Sequence, residues 1–441
     1  MLIEFTVGNF RSFKEPVTLS MVAAKLKARD PLVNENNTVV INDKLTLLTS
    51  AAIYGANASG KSNLIKALAF MHTYVLNSSK GMQADEEIGV TSFLLNTENK
   101  KLPSFFEIVF LINNITYRYG FEVDNERVKT EWLFYAPRKG EVRLFVRDEN
   151  EILISREFKG DKATKKLTRP NALFLSVAAQ FNSETAIDVL GWFRSFGIIS
   201  GLDDTSYAGF TAHKISEDAV YRDEILNLLR GSDVDINDVI AENVKKSEHL
   251  PKNMPKELKD YFLKQIKSDS DDKGVILKTS HTQRDAEGKT AAAIEFNLDE
   301  ESEGTKKLIL LSGPIIHVLQ NGNLIIIDEI EARLHTHLTR KLIRLFTSQV
   351  TNPKHAQLIF ATHDTNLLSN KLFRRDQIWF VEKDQFSASH LYSLAEIKVS
   401  DSKIRNDASY EDDYLQGRYG AIPLLGEMRK VILDLNQESD E

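Results

Sequence analysis

Residues 51–63 read Ala-Ala-Ile-Tyr-Gly-Ala-Asn-Ala-Ser-Gly-Lys-Ser-Asn and complete the pattern G-x-x-x-x-G-K-[ST]. The apolar run Leu45–Tyr54 predicts a buried strand before the glycines, and Asn63–Leu76 has the apolar spacing of a helix. A phosphate-binding loop requires this strand-to-helix context. Such a loop wraps an anion with consecutive N–H groups, and the positive end of the helix dipole adds to the attraction. A glycine turn that happens to precede a lysine is the alternative.

This loop supplies most of the predicted contacts to a nucleotide. Its lysine is expected to lie on the β- and γ-phosphates of ATP, and the hydroxyl that follows is expected to bind Mg²⁺. ATP and Mg²⁺ are therefore the predicted cofactors, with Lys61 as a catalytic residue and Ser62 as a metal ligand. The predicted cofactor-binding residues of the loop are Gly55, Ala56, Asn57, Ala58, Ser59, Gly60, Lys61, Ser62 and Asn63.

Composition limits the possible classes of protein. The 441 residues suffice for two or three folded units, and the absence of cysteine excludes disulfides, thiolate metal sites and cysteine nucleophiles. A formal charge of −7 gives no overall basic footprint for nucleic acid, although a local basic face stays possible. No apolar run approaches the roughly 20 residues of a membrane helix, and no signal-peptide pattern begins the chain. We therefore expect a cytoplasmic protein without membrane contact.

The first half of the chain is rich in predicted strands. Residues 1–7 and Val17–Met21 predict an N-terminal strand pair. Between residues 80 and 160, alternating apolar positions separated by turn residues predict an antiparallel sheet. Its predicted strands are Phe105–Ile112, Ile115–Val123, Lys129–Tyr135, Arg143–Arg147 and Ile152–Phe158.

The stretch Asn9-Phe-Arg-Ser-Phe13, together with the loop at 55–63, resembles the ABC-type ATPases of the SMC, RecF and OLD branch. The resemblance implies an α/β fold class: an ABC-type (SMC-like) P-loop ATPase head with a mixed central sheet, an antiparallel β lobe and a compact helical insertion. It also implies that Arg11 approaches the nucleotide, and that Gln180 reaches Mg²⁺ and the attacking water. Surface positions for both side chains are the alternative.

Residues 203–285 differ in character, because they are rich in charge and contain short amphipathic pieces at Ala219–Leu229 and Glu257–Ile266. SMC proteins hold a long coiled coil at this position, but no sustained heptad repeat is present here. We therefore predict an ATPase N-terminal lobe at 1–200, a helical insertion at 201–285 and an ATPase C-terminal lobe at 286–441. The acidic end, Asn436–Glu441, is predicted to be disordered.

Ser302-Glu-Gly304 precedes the helical stretch Leu308–Leu319 and resembles the ABC signature. A helix N-terminus preceded by serine and glycine is a ready anion site. The resemblance implies that Ser302 and Gly304 reach a γ-phosphate bound by a second subunit, which makes ATP the link of a homodimer. A core helix capped by Ser302 is the alternative.

The stretch Asn323–Glu329 places four apolar residues before two carboxylates, as expected of a buried parallel strand that delivers acids at its C-terminal end. Asp328 is expected to hold Mg²⁺ through water, and Glu329 to orient or deprotonate the attacking water. The resemblance places a dimer-contacting loop directly after them. His335 and His337 lack an evident third ligand for a metal and are expected to be exposed.

A further predicted buried strand, beginning at Gln357, ends at His363. The resemblance implies that this histidine contacts the γ-phosphate and senses its loss. Together with the loop and the acid pair, it completes the predicted catalytic set of Lys61, Glu329 and His363.

Near the end, Asp376–Lys383 and Tyr414–Pro423 are similar to the RloA and AbiL type of bacterial abortive-infection ATPases, which are encoded beside a separate effector. The leading hypothesis is an ATP-binding and hydrolysing switch that forms dimers or larger homo-oligomers and controls a toxin or nuclease. We expect this chain alone not to cut nucleic acid. The alternatives are a RecF/SMC-like ATPase that clamps duplex DNA, and a scaffold with structural ATP and negligible hydrolysis.

Overall fold

The computed structural model describes residues 1–138, 140–232, 234–245, 273–399, 402–403 and 409–422. The predicted helix Glu257–Ile266 and the predicted disordered end Asn436–Glu441 lie outside these residues. Within the described ranges, no helix is both long and apolar enough to cross a membrane.

The strands, in chain order, are β1 (Leu2–Gly8), β2 (Val17–Ser20), β3 (Thr38–Asn42), β4 (Leu45–Leu48), β5 (Ser50–Tyr54), β6 (Ser104–Ile112), β7 (Ile115–Val123), β8 (Val128–Arg138), β9 (Gly140–Asp148), β10 (Glu151–Ile154), β11 (Gly197–Ser200), β12 (Asp238–Lys245), β13 (Lys273–Arg284), β14 (Thr290–Asn297), β15 (Leu324–Asp328), β16 (Gln357–Ala361), β17 (Ile378–Lys383), β18 (Ser389–Ser393), β19 (Lys398–Val399) and β20 (Ser402–Lys403). The α-helices are Pro31–Asn37, Lys61–Asn77, Phe174–Gln180, Glu184–Ser195, Thr205–Glu217, Ala219–Arg230, Glu303–Asn321, Thr336–Phe346 and Tyr410–Leu415. The described residues form two compact units, one within Met1–Ser195 and Ile359–Glu441 and the other within Phe196–Leu358.

The first unit contains a seven-stranded sheet in the order β10-β9-β8-β7-β6-β1-β2. Every neighbouring pair in it is antiparallel, so the predicted antiparallel lobe is confirmed and the N-terminal strand pair belongs to it. Alternate side chains of these strands bury aromatic rings, including Phe106 and Phe121, whose centroids lie 5.3 Å apart. Burial of each such ring favours folding by about 2 kcal/mol.

The strand before the phosphate loop lies in a different, mixed sheet of the same unit. β5 is fully buried, pairs in parallel with β17 and also neighbours β16, whereas β17 pairs antiparallel with β18. The predicted single strand Leu45–Tyr54 is in fact two strands. β4 pairs with β3, and the chain changes sheets at Thr49, whose N–H donates to the carbonyl of Asn37 at 3.0 Å. The predicted helix after the loop is confirmed as Lys61–Asn77.

The second unit holds β11 and β15 as a parallel pair, in which Ser200 lies opposite Asp328. The helix Glu303–Asn321 packs closely on Thr205–Glu217, because the Thr211 hydroxyl donates to the carbonyl of Leu310 at 2.6 Å. A Cβ at Gly313 would overlap that same hydroxyl, so this position requires glycine.

The predicted helical insertion is only partly helical in the described residues. Thr205–Glu217 and Ala219–Arg230 are helices, but the following strands β12, β13 and β14 form a three-stranded antiparallel sheet. Leu277 and Thr279 are buried at alternate positions of β13, which is the strand period. The high charge of this region concealed that period in the sequence. The division at residues 200 and 285 stays a prediction.

Candidate functional site

The phosphate loop leaves its strand through a glycine that no other residue could replace without strain. Gly55 has a φ of +152°, and a Cβ there would overlap the backbone carbonyl oxygen of Val381 in β17. Ala58, at the exposed tip of the loop, also has a positive φ of +61°. The close approach to β17 and these dihedral angles fix the course of the loop.

The other end of the loop rests on two serines that the sequence predictions did not include. A Cβ at Gly60, whose φ is +120°, would overlap the hydroxyl of Ser389 and lie 2.9 Å from that of Ser12. The Ser389 hydroxyl donates to the carbonyl of Ser59 at 2.5 Å. The Ser12 hydroxyl accepts from the Asn63 amide at 2.8 Å. Ser389 lies far from the loop in sequence, so no local signal could identify it. Ser12 belongs to the stretch Asn9–Phe13, from which only Arg11 was predicted as a contact.

Lys61 is buried, with 5% of its surface exposed, and its ammonium turns back onto the loop. Nζ donates to the carbonyls of Gly55 at 2.7 Å and Ala56 at 3.1 Å, and lies 3.5 Å from Nδ1 of His363. The structure therefore brings together two of the predicted catalytic residues, which are 302 positions apart in the chain. The helix beginning at Lys61 has no side-chain cap, and the positive end of its dipole lies at the phosphate loop, which favours an anion there.

A cavity of about 590 Å³ opens beside the loop. Its volume is in the range of ligand pockets. The lining residues are Tyr54, Gly55, Ala56, Asn57, Thr362, His363, Thr365, Tyr414, Leu415 and Ile422, all of the first unit.

Two other predicted nucleotide contacts are exposed. Arg11 has a φ of +49°, and its guanidinium lies 5.6 Å from the ring centroid of Phe10. Gln180 is the last residue of the helix Phe174–Gln180. Surface positions were the alternative for both residues, and their roles toward a nucleotide stay predictions.

The predicted acid pair of the second unit stands at the end of the buried strand β15. Oδ1 of Asp328 is buried and has no hydrogen-bond partner among the described residues. Glu329 follows with a φ of +55°, where the chain turns sharply, and its carbonyl accepts from the N–H of Ala332. A Cβ at Gly201 would overlap that carbonyl, so the acid-bearing turn packs directly on backbone.

The predicted signature stands at the start of the helix Glu303–Asn321. Ser302 is exposed and caps this helix, because its hydroxyl accepts from the N–H of Thr305 at 3.1 Å. A Cβ at Gly304 would lie 3.0 Å from the carbonyl oxygen of Arg333. Ser302 thus caps a helix, which was one of the two interpretations of the sequence. Such a cap does not conflict with anion binding at the same turn.

Five charged and polar side chains connect this helix to the turn after the acid pair. We call them the signature cluster: Asp204, Tyr207, Glu303, Lys307 and Arg333. Lys307 is fully buried, and its Nζ donates to Asp204 at 2.9 Å, to the Tyr207 hydroxyl at 2.6 Å and to the carbonyl of Gly201 at 2.6 Å. Arg333 joins Asp204 at 2.8 Å and Glu303 at 3.2 Å.

In the signature cluster, burial disfavours the charged forms of Lys307 and Asp204, and their mutual hydrogen bond favours them. Burial lowers the pKa of Lys307, while its hydrogen bond to Asp204 acts in the other direction. Burial also favours the neutral form of Asp204, but the hydrogen bonds from Lys307 and Tyr207 outweigh it, so the pKa of Asp204 is lowered. No sequence prediction included this cluster, because a lysine within a helix is usually a surface residue.

His335 and His337 are both exposed, as expected from the sequence, and their rings lie 5.2 Å apart. His335 caps the helix Thr336–Phe346 by accepting from the N–H of His337. Within the described ranges, no group of three or more histidine or acidic side chains could hold a metal by itself.

Comparison with known proteins gives one family match. A family model described as "AAA domain, putative AbiEii toxin, Type IV TA system" matches residues 50–369, a range that begins just before the phosphate loop and ends just after His363. No curated protein matches the chain.

Several solved structures are similar to this chain. The SMC head domain from Thermotoga maritima is 14% identical, with 90% of this chain and 99% of that chain covered, at a TM-score of 0.40. An SmcHead bound to the C-winged helix domain of ScpA is 13% identical, with 89% and 97% covered, at 0.37. The cbiO1 protein of Clostridium perfringens, part of the ABC transporter complex cbiONQ, is 10% identical, with 87% and 86% covered, at 0.29. These scores are low, and the family match carries the assignment.

Proposed function

Because the chain belongs to this family of AAA domains, we propose that it is an ATP-binding and ATP-hydrolysing switch in bacterial defence against phage. It forms ATP-linked dimers or larger assemblies, and it controls a separate effector that is a toxin or a nuclease. The toxin and the Type IV toxin–antitoxin system in the family description support the part of this proposal that concerns defence and an effector.

The observation that carries the proposal is the position of the Lys61 ammonium, which is buried within the phosphate loop. Its buried ammonium is held by the Gly55 and Ala56 carbonyls, next to the uncapped first turn of a helix. A buried cation beside the N-terminus of a helix, where the helix dipole is positive, attracts an anion strongly. In the pattern G-x-x-x-x-G-K-[ST], that anion is the phosphate chain of a nucleotide.

Mg²⁺ suits the chemistry of the donors that are present. The buried, unpartnered Oδ1 of Asp328 is an oxygen that a hydrated Mg²⁺ would satisfy, and hard oxygen donors are those that Mg²⁺ prefers. Ser62, in the first turn of its helix, supplies the hydroxyl. When bound, Mg²⁺ neutralises charge on the transferred phosphoryl group.

The protein residues then divide the remaining work. Lys61 and the loop N–H groups hold the phosphates, and His363 responds to loss of the γ-phosphate. Glu329 orients or deprotonates the attacking water. Its positive φ and the packing of its carbonyl on Gly201 support a fixed position for this carboxylate. Phosphoryl transfer needs little more than such positioning and charge neutralisation.

The exposed start of the helix Glu303–Asn321 supports assembly through ATP. Ser302 and Gly304 lie at a helix N-terminus, where a phosphate of a second subunit would meet the positive end of the helix dipole. The signature cluster holds this helix from inside its own unit.

Light scattering on Glu329→Gln, with and without Mg-ATP, tests the switch. This variant is expected to bind ATP and turn it over slowly, so the ATP-linked species should accumulate and its mass should at least double. Ser302→Arg, introduced into it, should prevent the increase. Ser302→Asp keeps a capping oxygen but adds negative charge, so it separates loss of the cap from loss of phosphate binding. A mass that is large without nucleotide and unchanged by it would favour the scaffold instead.

A further inference from the structure

The residues we call the closing segment, 410–422, form the helix Tyr410–Leu415 and the turns that follow it. Three of its tyrosines are almost completely buried, namely Tyr410, Tyr414 and Tyr419. The Tyr414 ring stacks on Phe380 of β17 with centroids 5.5 Å apart. The segment is therefore an integral part of the first unit.

Hydrogen bonds fix the closing segment on β17 and β18. The N–H of Ala421 donates to Glu382 at 2.8 Å, and the Tyr392 hydroxyl donates to the carbonyl of Tyr419 at 2.8 Å. A Cβ at Gly420, whose φ is +69°, would lie 2.7 Å from both of those side-chain oxygens. Because β17 also pairs with the strand that delivers the phosphate loop, the segment and the loop share one support.

The 590 Å³ cavity lies between the closing segment and the phosphate loop. Gly55, Ala56 and His363, which surround the Lys61 ammonium, also line this cavity. A phosphate-loop lysine reaches the β- and γ-phosphates. If ATP binds as proposed, the cavity lies at the end of the site that the γ-phosphate would occupy. The opposite wall of the cavity contains Tyr414, Leu415 and Ile422.

A second contact joins the closing segment to the turn after His363. The Thr365 hydroxyl donates to Oε1 of Glu411 at 3.1 Å. Asp364 accepts from the N–H of Asn366 at 3.0 Å and so fixes the start of that turn. A shift of the helix Tyr410–Leu415 would therefore displace Thr365, which lies two residues after His363.

We propose that the closing segment forms the end wall of the nucleotide site at the γ-phosphate and positions His363 through Glu411 and Thr365. This proposal rests on the proposed binding of ATP. It assigns the distinction between nucleoside triphosphate and diphosphate to these residues, because the wall limits the room beyond the β-phosphate.

Leu415→Trp tests the wall. Leu415 lines the cavity and is 60% exposed, so a larger side chain can enter the cavity without disturbing the core. By calorimetry, affinity for a non-hydrolysable ATP analogue should fall at least about 10-fold, whereas affinity for ADP should change less than about 2-fold. Leu153→Trp, at an exposed leucine of β10, is the matched control and should leave both affinities unchanged.

Thr365→Val tests the positioning of His363 with the same two ligands. Loss of the hydroxyl should lower the affinity for the ATP analogue and leave the affinity for ADP unchanged. Thr365→Ser keeps a hydroxyl and should restore the affinity for the analogue. Wild-type protein that binds neither nucleotide would refute the proposed function itself. If wild-type protein binds both nucleotides and Leu415→Trp lowers both affinities equally or neither, the proposed end wall is refuted and the proposed function is not. If Thr365→Val lowers the affinity for both ligands equally, Thr365 has only a structural role and does not position His363.

Discussion

The phosphate loop and the signature cluster are held in place by different kinds of interaction. The loop depends on backbone shape, since Gly55 and Gly60 have positive φ angles and leave no room for a Cβ. The signature cluster depends on charge, since Lys307 is buried against Asp204, and Arg333 bridges Asp204 and Glu303.

This difference separates the ways in which the two regions can fail. Steric strain from an added methyl group does not depend on pH, and a backbone carbonyl cannot rotate away from it. A buried ion pair instead fails when one partner is removed, because the other partner is left as an uncompensated charge. The loop should therefore be sensitive to methyl groups, and the signature cluster to neutralised charges.

The largest effect is expected for Gly55→Ala. The new methyl group would overlap the Val381 carbonyl at a backbone angle that side chains rarely adopt. Strain and overpacking together should lower the free energy of unfolding by about 3 kcal/mol or more, as measured by urea denaturation. Binding of ATP should be lost in the same variant, because the loop cannot keep its course.

Two alanine variants serve as controls for that result. Gly89 has a φ of +75°, but a Cβ there would have no atom within 4 Å. Gly89→Ala therefore introduces backbone strain without a clash, and should lower the free energy of unfolding by about 1 kcal/mol. A Cβ at Gly304, in the first turn of the helix Glu303–Asn321, would meet only the Arg333 carbonyl oxygen, at 3.0 Å, and alanine favours a helix. If Gly304→Ala were as damaging as Gly55→Ala, the contrast between the two regions would be refuted.

Lys307→Met should have the next largest effect. It keeps the length of the side chain but removes the hydrogen bonds to Asp204, Tyr207 and Gly201. The expected loss of unfolding free energy is about 3 kcal/mol, at the lower end for a broken buried ion pair, because Arg333 still faces Asp204. The same denaturation measurement checks it.

Its neighbour provides the matched control. Lys306 pairs with Glu303 at 2.5 Å near solvent, where ion pairs contribute little. Lys306→Met should therefore cost only a small fraction of the effect at Lys307. Equal effects would mean that the buried charge of the signature cluster does not stabilise the second unit.

The phosphate loop was predictable because its geometry is local. Gly55, Gly60 and Lys61 lie within seven consecutive residues, and the strand before them and the helix after them have clear apolar patterns. The supporting contacts are not local. Ser389 reaches Ser59 across 330 positions of sequence, and no single-sequence pattern carries that pairing.

The signature cluster was unpredictable for a related reason. Lys307 donates to Asp204 across 103 positions, and its burial depends on that distant partner. The same limit applies to the strand break at Thr49, where buried residues continue on both sides and the pairing of β4 with β3 separates it from β5. The prediction of a helical insertion did not include β12 and β13, because the high charge of this region concealed their weak alternation.

The pH dependence of the signature cluster follows from Asp204. Burial favours its neutral form, but the hydrogen bonds from Lys307 and Tyr207 hold its pKa below the ordinary value. A carboxylate with a lowered folded-state pKa stabilises the fold above its ordinary pKa, near 4, and this contribution is lost as the pH falls through the folded-state pKa. The strain at Gly55 has no such dependence.

Asp204→Asn should therefore give the smallest and most diagnostic effect. At pH 7 the variant should be less stable than wild type by about 2 kcal/mol, because hydrogen bonds to a charged group are lost. The difference should narrow as the pH falls below about 4, since protonation then removes the same charge from the wild type. Asp43→Asn, in an exposed turn, should show no such narrowing. Parallel stability curves for Asp204→Asn and wild type would show that this carboxylate is not what holds the signature cluster.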